Sequence, residues 1–149
     1  MKRFLLFLLP AFLLFSCKDD EREEVPASEN NIDAARNFIR AALDGKFNEA
    51  RRFMVPDSVN MNYMDVVERS FKNLDQATRD NYRTASIRIL GKSNINDSTT
   101  VVIFANTFKN DPDTLKVRRV GQEWLVDFKY LYQHDMDTLN KVPAKDSLP

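Results

Sequence analysis

The side chains able to do covalent or acid–base chemistry are few. The chain of 149 residues has one thiol, Cys17, and one imidazole, His134. A catalytic imidazole needs a site that excludes water and fixes its geometry. His134 stands instead among Gln133, Asp135 and Asp137, a polar stretch that reads as a solvated tail. A single Cys excludes a disulfide framework and a four-Cys zinc site, and a single His excludes a multi-His metal centre. There is no Gly-x-Ser-x-Gly elbow and no His-Glu-x-x-His pair. Three Gly leave no glycine-rich loop to cradle phosphate. Asp111-Pro112-Asp113 lacks the alternating oxygen ligands and terminal Glu of a calcium loop and reads as a hairpin turn. No catalytic residue, metal or cofactor is therefore expected. The 22 basic and 22 acidic side chains cancel, and a pI near 6.6 argues against a basic nucleic-acid binder.

The one thiol has a different use. Lys2 and Arg3 form a positive start, and Phe4 to Phe15 is an apolar run broken only by Pro10. As a helix it would be about 18 Å long, short of the ~30 Å needed to cross a bilayer. Leu14-Phe15-Ser16-Cys17 resembles the lipobox of bacterial lipoproteins, although Phe15 departs from the smaller residue usual before Ser16. Residues 1–16 are expected to be a cleaved signal peptide and Cys17 the lipid attachment site. More than one acyl chain makes such attachment durable. Cleavage leaves 20 basic against 22 acidic side chains, a net of −2, with no polybasic patch for a membrane surface. Lys18, Asp19, Asp20 and Glu21 look like the surface-export signal of some Gram-negative lipoproteins; they would also serve as a plain charged tether. An outer membrane lipoprotein is expected, on the cell surface or on the periplasmic leaflet.

Residues 17–30 form the lipidated Cys and acidic tether, and residues 133–149 lose apolar periodicity and read as a disordered tail. Between them, residues 31–132 make one domain. Ala35, Phe38, Ile39, Ala42 and Leu43 fall on one helix face, with Asn30 or Asn31 as the cap and Gly45 past the end. Phe47, Ala50, Phe53 and Met54 mark a short second helix, stopped by Pro56. Met64, Val67, Phe71 and Leu74 mark a third over about 60–74, which Gln76 to Tyr82 extends or follows with a further turn. The period then changes to two. Strands are expected from Ala85 to Ile89, Thr99 to Phe108, Thr114 to Val120 and Glu123 to Leu131. Trp124, Val126, Phe128 and Tyr130 would face one way, and Asp127 and Lys129 the other. About three helices followed by an antiparallel meander predict an α+β fold, the helices packed on a four-stranded sheet.

Two stretches carry a resemblance: Ala35-x-x-Phe38-Ile39-x-x-Ala42-Leu43-x-Gly45-Lys46-Phe47-x-x-Ala50, and Gly121-x-x-Trp124-x-Val126-Asp127. With the order of elements, they resemble the nuclear-transport-factor-2-like (cystatin-like) superfamily, as found in small bacterial lipoproteins with a domain of unknown function. The resemblance covers roughly residues 31–131 and implies a curved sheet cupping the helices into a cone. It implies no single activity, since that superfamily includes enzymes, ligand carriers and adaptors. Some of its enzymes pair an Asp base with a Tyr donor inside the cone. By that resemblance Asp65 and Asp127 are the candidate bases, and Tyr63, Tyr82 and Tyr130 the candidate donors. Asp127 alternates away from the Trp124 face and is expected to meet solvent or a partner, and Asp65 does not share a helix face with Tyr63.

Two functions follow. The first is a membrane-anchored, non-catalytic binding or envelope-assembly module. It would meet a protein partner or a second copy through the outer face of the second strand, at Val102 and Phe104. The second is a cone-pocket binder or enzyme, isomerase- or dehydratase-like, for a small hydrophobic molecule, with Tyr63, Tyr82 and Trp124 near the pocket. No nucleic acid is expected in either.

Overall fold

Helix α1 (Asn31–Leu43) starts where Asn30 Oδ1 accepts from the amides of Ile32 and Asp33, both at 3.0 Å. That satisfies two donors a helix start leaves open. It ends at Leu43, and just past its Asp44 cap comes Gly45, whose φ of +75° suits a residue without a side chain. The structure, a computed structural model, describes residues 26–133. The expected signal peptide, Cys17, most of the tether and the tail beyond residue 133 lie outside them. Among the described residues no helix is long and apolar enough to cross a membrane.

Helix α2 (Phe47–Arg52) is shorter than its apolar stripe suggests, because Phe53 and Met54 leave it to pair with the sheet. Helix α3 (Ser58–Lys72) is capped by Asp57, and helix α4 (Gln76–Thr84) is a separate helix capped by Asp75. The strands β1 (Ile87–Asn96), β2 (Thr99–Asn106), β3 (Asp113–Val120) and β4 (Glu123–Asp127) form one antiparallel sheet in sequence order. The fold is thus α+β with a four-stranded antiparallel sheet. Val55 donates to Val126 O at 2.9 Å and Val126 N donates to Phe53 O at 2.8 Å, so the 53–55 segment runs parallel along the outer edge of β4.

Two strands differ from expectation. β1 runs seven residues past Ile89, to Asn96, with irregularities between Ile89 and Gly91 and between Asn94 and Asn96. These bulges kept a period of two from showing in the sequence. β4 stops at Asp127, and residues 129–133 are helical, so the strand expected through Leu131 ends four residues early.

The core lies between α1 and one face of the sheet. Ala34, Ala35, Phe38 and Ile39 meet Val102, Leu115, Val117 and Val126, with Phe47, Met54, Met64 and Phe128 closing the sides. Val102 is fully buried, and Phe104, on the same face of β2, packs against this core. Neither can serve as the outward contact expected of it. The opposite face of β2 presents Ile103, which is 41% exposed, and Leu90 at the β1 bulge is 51% exposed.

Candidate functional site

Asp127 does not meet solvent. It points to the side of the sheet away from Trp124, as alternation requires, yet it is 3% exposed. The first turn of α3 and three cations enclose it. Asn60 Nδ2 donates to its Oδ1 at 3.3 Å, Lys129 Nζ lies 3.2 Å from the same oxygen, and Lys116 and Arg118 approach its Oδ2 at 3.9 and 3.8 Å. Asn60, itself buried, accepts from the Lys129 amide at 2.7 Å, and Lys129 Nζ reaches Asp57 at 2.7 Å. The hydrogen bond from Lys129 holds the Asp57 carboxyl below its usual value, and the same bond raises the Lys129 ammonium. Cations and hydrogen bonds here stand in for the water that the buried carboxylate has lost. This knot ties the end of β4 to the start of α3.

The other expected residues fall in separate places. Asp65 is exposed and pairs with Arg51 at 2.6 Å, beside Glu68 at 2.7 Å. Tyr63 stacks on Tyr132, at 4.3 Å between ring centroids, and burial pushes the Tyr132 hydroxyl above its usual value. Tyr130 lies under the Lys116 ammonium, 4.5 Å from the ring centroid. Tyr82 belongs to a second aromatic cluster, edge-on to Phe108 at 4.9 Å and tilted against Phe71 at 6.2 Å. The structure does not bring Tyr63, Tyr82 and Trp124 together. The Asp127 carboxylate and the Tyr63 ring likewise answer to different neighbours.

Two concave surfaces among the described residues bear on binding. One is an apolar groove of about 290 Å³ between α1, α3 and α4, lined by Leu43, Val67, Phe71, Leu74 and Tyr82, with Ser70 contributing a hydroxyl. Its floor depends on Gly45, because a Cβ there would stand 2.7 Å from Phe71 Cε1. The other is a polar hollow of about 460 Å³ on the helix-covered face of the sheet, beyond the start of α1. Asn31, Asn94, Asn96, Asp97, Thr100 and Trp124 line it.

The hollow is held from within. Thr100 is 1% exposed; it accepts from Asn31 Nδ2 at 2.7 Å and donates to Asn94 Oδ1 at 3.0 Å. Asn96 Oδ1 accepts from the Ser98 amide at 3.0 Å and hydroxyl at 3.1 Å, which shapes the β1–β2 turn. On the far side of Trp124 a smaller hollow of about 150 Å³ is lined in part by Pro26, Ala27 and Ser28.

Sequence reasoning singled out Trp124 and missed its polar neighbours. A signal was present: Thr100 shares the inward phase of Val102 on β2, and an inward hydroxyl needs partners. Those partners come from Asn31, 69 positions away, and from a strand broken by bulges, and no local spacing reveals either. Among the described residues no three His, Cys, Asp or Glu side chains gather as metal ligands. Comparison with family models, curated proteins and solved structures finds no match to this chain.

Proposed function

We propose that the chain is a lipid-anchored binding module of the bacterial cell envelope, held at the outer membrane through Cys17 and working by recognition. Its domain would be of the nuclear-transport-factor-2-like kind, the sheet curving around α1. The observation that carries the reading is the place of the only Cys, directly after a short apolar run and Leu14-Phe15-Ser16. Recognition is supported by the two concave surfaces, one apolar and one amide-rich, and by the tying of Asp127 into ion pairs.

Growth with an alkyne-tagged fatty acid tests the anchor. The wild-type chain takes the label, loses residues 1–16 and sediments with membranes; Cys17→Ala takes none. An unlabelled, freely soluble wild-type chain overturns the reading. Surface display through Lys18, Asp19, Asp20 and Glu21 is tested by protease treatment of intact cells. The wild type is cut, whereas the variant with Ala at Asp19, Asp20 and Glu21 is protected. Equal cutting of both places the export signal elsewhere.

A second reading, a carrier of a small hydrophobic molecule, is favoured by the apolar groove beside Tyr82. Contact with a protein partner or a second copy would use the outer sheet face at Ile103 and Leu90.

A further inference from the structure

We infer that the hollow beside Trp124 is a carbohydrate site, taking an uncharged pyranose unit of a glycan. The inference rests on the binding reading above and names the ligand class for it. A pyranose offers two kinds of surface: hydroxyls on adjacent carbons, each both donor and acceptor, and a face of C–H groups. An amide side chain supplies a donor and an acceptor side by side, and an indole supplies a flat apolar face with one polar edge. The hollow holds three amides and the chain's only Trp.

The amides are oriented in advance. Asn94 Oδ1 is occupied by the Thr100 hydroxyl, so its Nδ2 is the group left to donate into the hollow. Asn31 spends one N–H on Thr100 and keeps its Oδ1 to accept. Asn96 Oδ1 is taken by Ser98, which leaves its Nδ2 as a second donor. The Asp97 carboxylate adds an acceptor and is the one charged group in the lining. Donors and acceptors fixed before binding avoid the ordering cost that flexible side chains incur. The Asp97 carboxylate disfavours phosphorylated or uronic sugars, and the Arg119 guanidinium, 6.0 Å from the Trp124 ring centroid, disfavours a cationic one, so the ligand is neutral. Location agrees with an envelope glycan. Asn31 opens the domain, and the 13 residues from Lys18 to Asn30 reach at most about 45 Å from the lipid.

Two sources share this chemistry: a cell-wall glycan of N-acetylated hexosamines, and a polysaccharide of plain hexoses. The full mature chain, in a detergent without a sugar head group, is titrated with tetra-N-acetylglucosamine and with maltotetraose. Trp124 emission and saturation-transfer NMR are read. A saturable emission change with either oligosaccharide is expected, and the responding one identifies the source.

Asn94→Ala and Asn96→Ala should each weaken binding about tenfold, the loss of roughly one good hydrogen bond. Ser70→Ala, in the separate apolar groove, should leave it unchanged. Asn96 is exposed at a strand end, so its variant keeps the test if Asn94→Ala fails to fold. A folded chain that responds to neither sugar by either method overturns the inference, as does equal binding by wild type and Asn96→Ala. The label at Cys17 reads the anchor independently. A labelled chain that ignores both sugars defeats only the carbohydrate site, and an unlabelled chain that binds one defeats only the anchor.

Discussion

Tyr63 and Tyr132 lie face to face, their ring planes 8° from parallel and their centroids 4.3 Å apart. They join α3 to the helical turn after β4. Tyr132 in turn stands edge-on to Phe128 at 5.6 Å, and Phe128 packs against Phe38 of α1 at 5.1 Å. Four rings therefore link three parts of the chain. Aromatic pairs of this kind add about 0.5–1.5 kcal/mol beyond their buried area. A double-mutant cycle of Tyr63→Ala and Tyr132→Ala, followed by urea unfolding, should return a coupling near 1 kcal/mol. Strict additivity would show that the stack contributes area alone.

Asp127→Ala should cost about 3 kcal/mol, because it leaves Lys129, Lys116 and Arg118 facing one another without their shared counter-charge. Lys129→Ala should cost less, since Asp127 keeps Asn60 and two further cations. The order of the two urea midpoints checks this. A reversed order would mean that the Lys129–Asp57 contact, rather than the buried acid, holds the knot together.

Acid should loosen this knot and, separately, the Arg51–Glu68 pairing between α2 and α3. Hydrogen bonding from Lys129 lowers Asp57 beneath its ordinary 3.8, and hydrogen bonds from Lys72 and then Arg51 lower Glu68 beneath its ordinary 4.5. Groups lowered in this way contribute stability that is present above those ordinary values. It is lost as pH falls through the folded ones. Unfolding free energy should therefore decline as pH drops below about 4.5. Asp57→Asn, which can still cap α3, should flatten the decline. An unchanged slope would assign the acid sensitivity to other carboxylates.

Two glycines should respond differently to Ala. Gly45 and Gly121 both have positive φ, at +75° and +62°. A Cβ at Gly45 would also collide with Phe71, whereas at Gly121 nothing lies within 4 Å. Gly121→Ala should cost about 1 kcal/mol of backbone strain. Gly45→Ala should cost at least twice that and reshape the apolar groove, seen as a lower melting temperature and shifted Phe71 resonances. Equal costs would mean that Phe71 yields freely.

The helices were legible because their apolar residues recur at three and four and their caps stand in the right places; Asn30 and Gly45 both do what their types suggest. The meander was legible from the β-branched run at Thr99–Phe104 and from turn residues between strands. What escaped was set by distant pairs. Alternation places Asp127 on the outer face, but its burial comes from Asn60, 67 positions earlier. Likewise Phe53 and Met54 look helical by spacing, yet Phe53 O receives Val126 N and Met54 bridges to the same residue of β4. Val102 and Phe104 could be placed on one face of their strand; which face α1 would cover was settled by packing.

The parallel pairing of the 53–55 segment with β4 would matter most under the anchoring proposed above, which would hold the protein in a plane. Copies tethered to one membrane meet far more often than copies in solution, and a bare strand edge would invite them to zip into shared sheets. At β4 the Val126 amide and carbonyl already have partners within the chain. At the other edge, β1 is kinked by two irregularities and bears Arg88 and Lys92, so a flat, uncharged template is missing there as well. Under that anchoring, copies crowded on a surface would find neither sheet edge open as a flat, uncharged template.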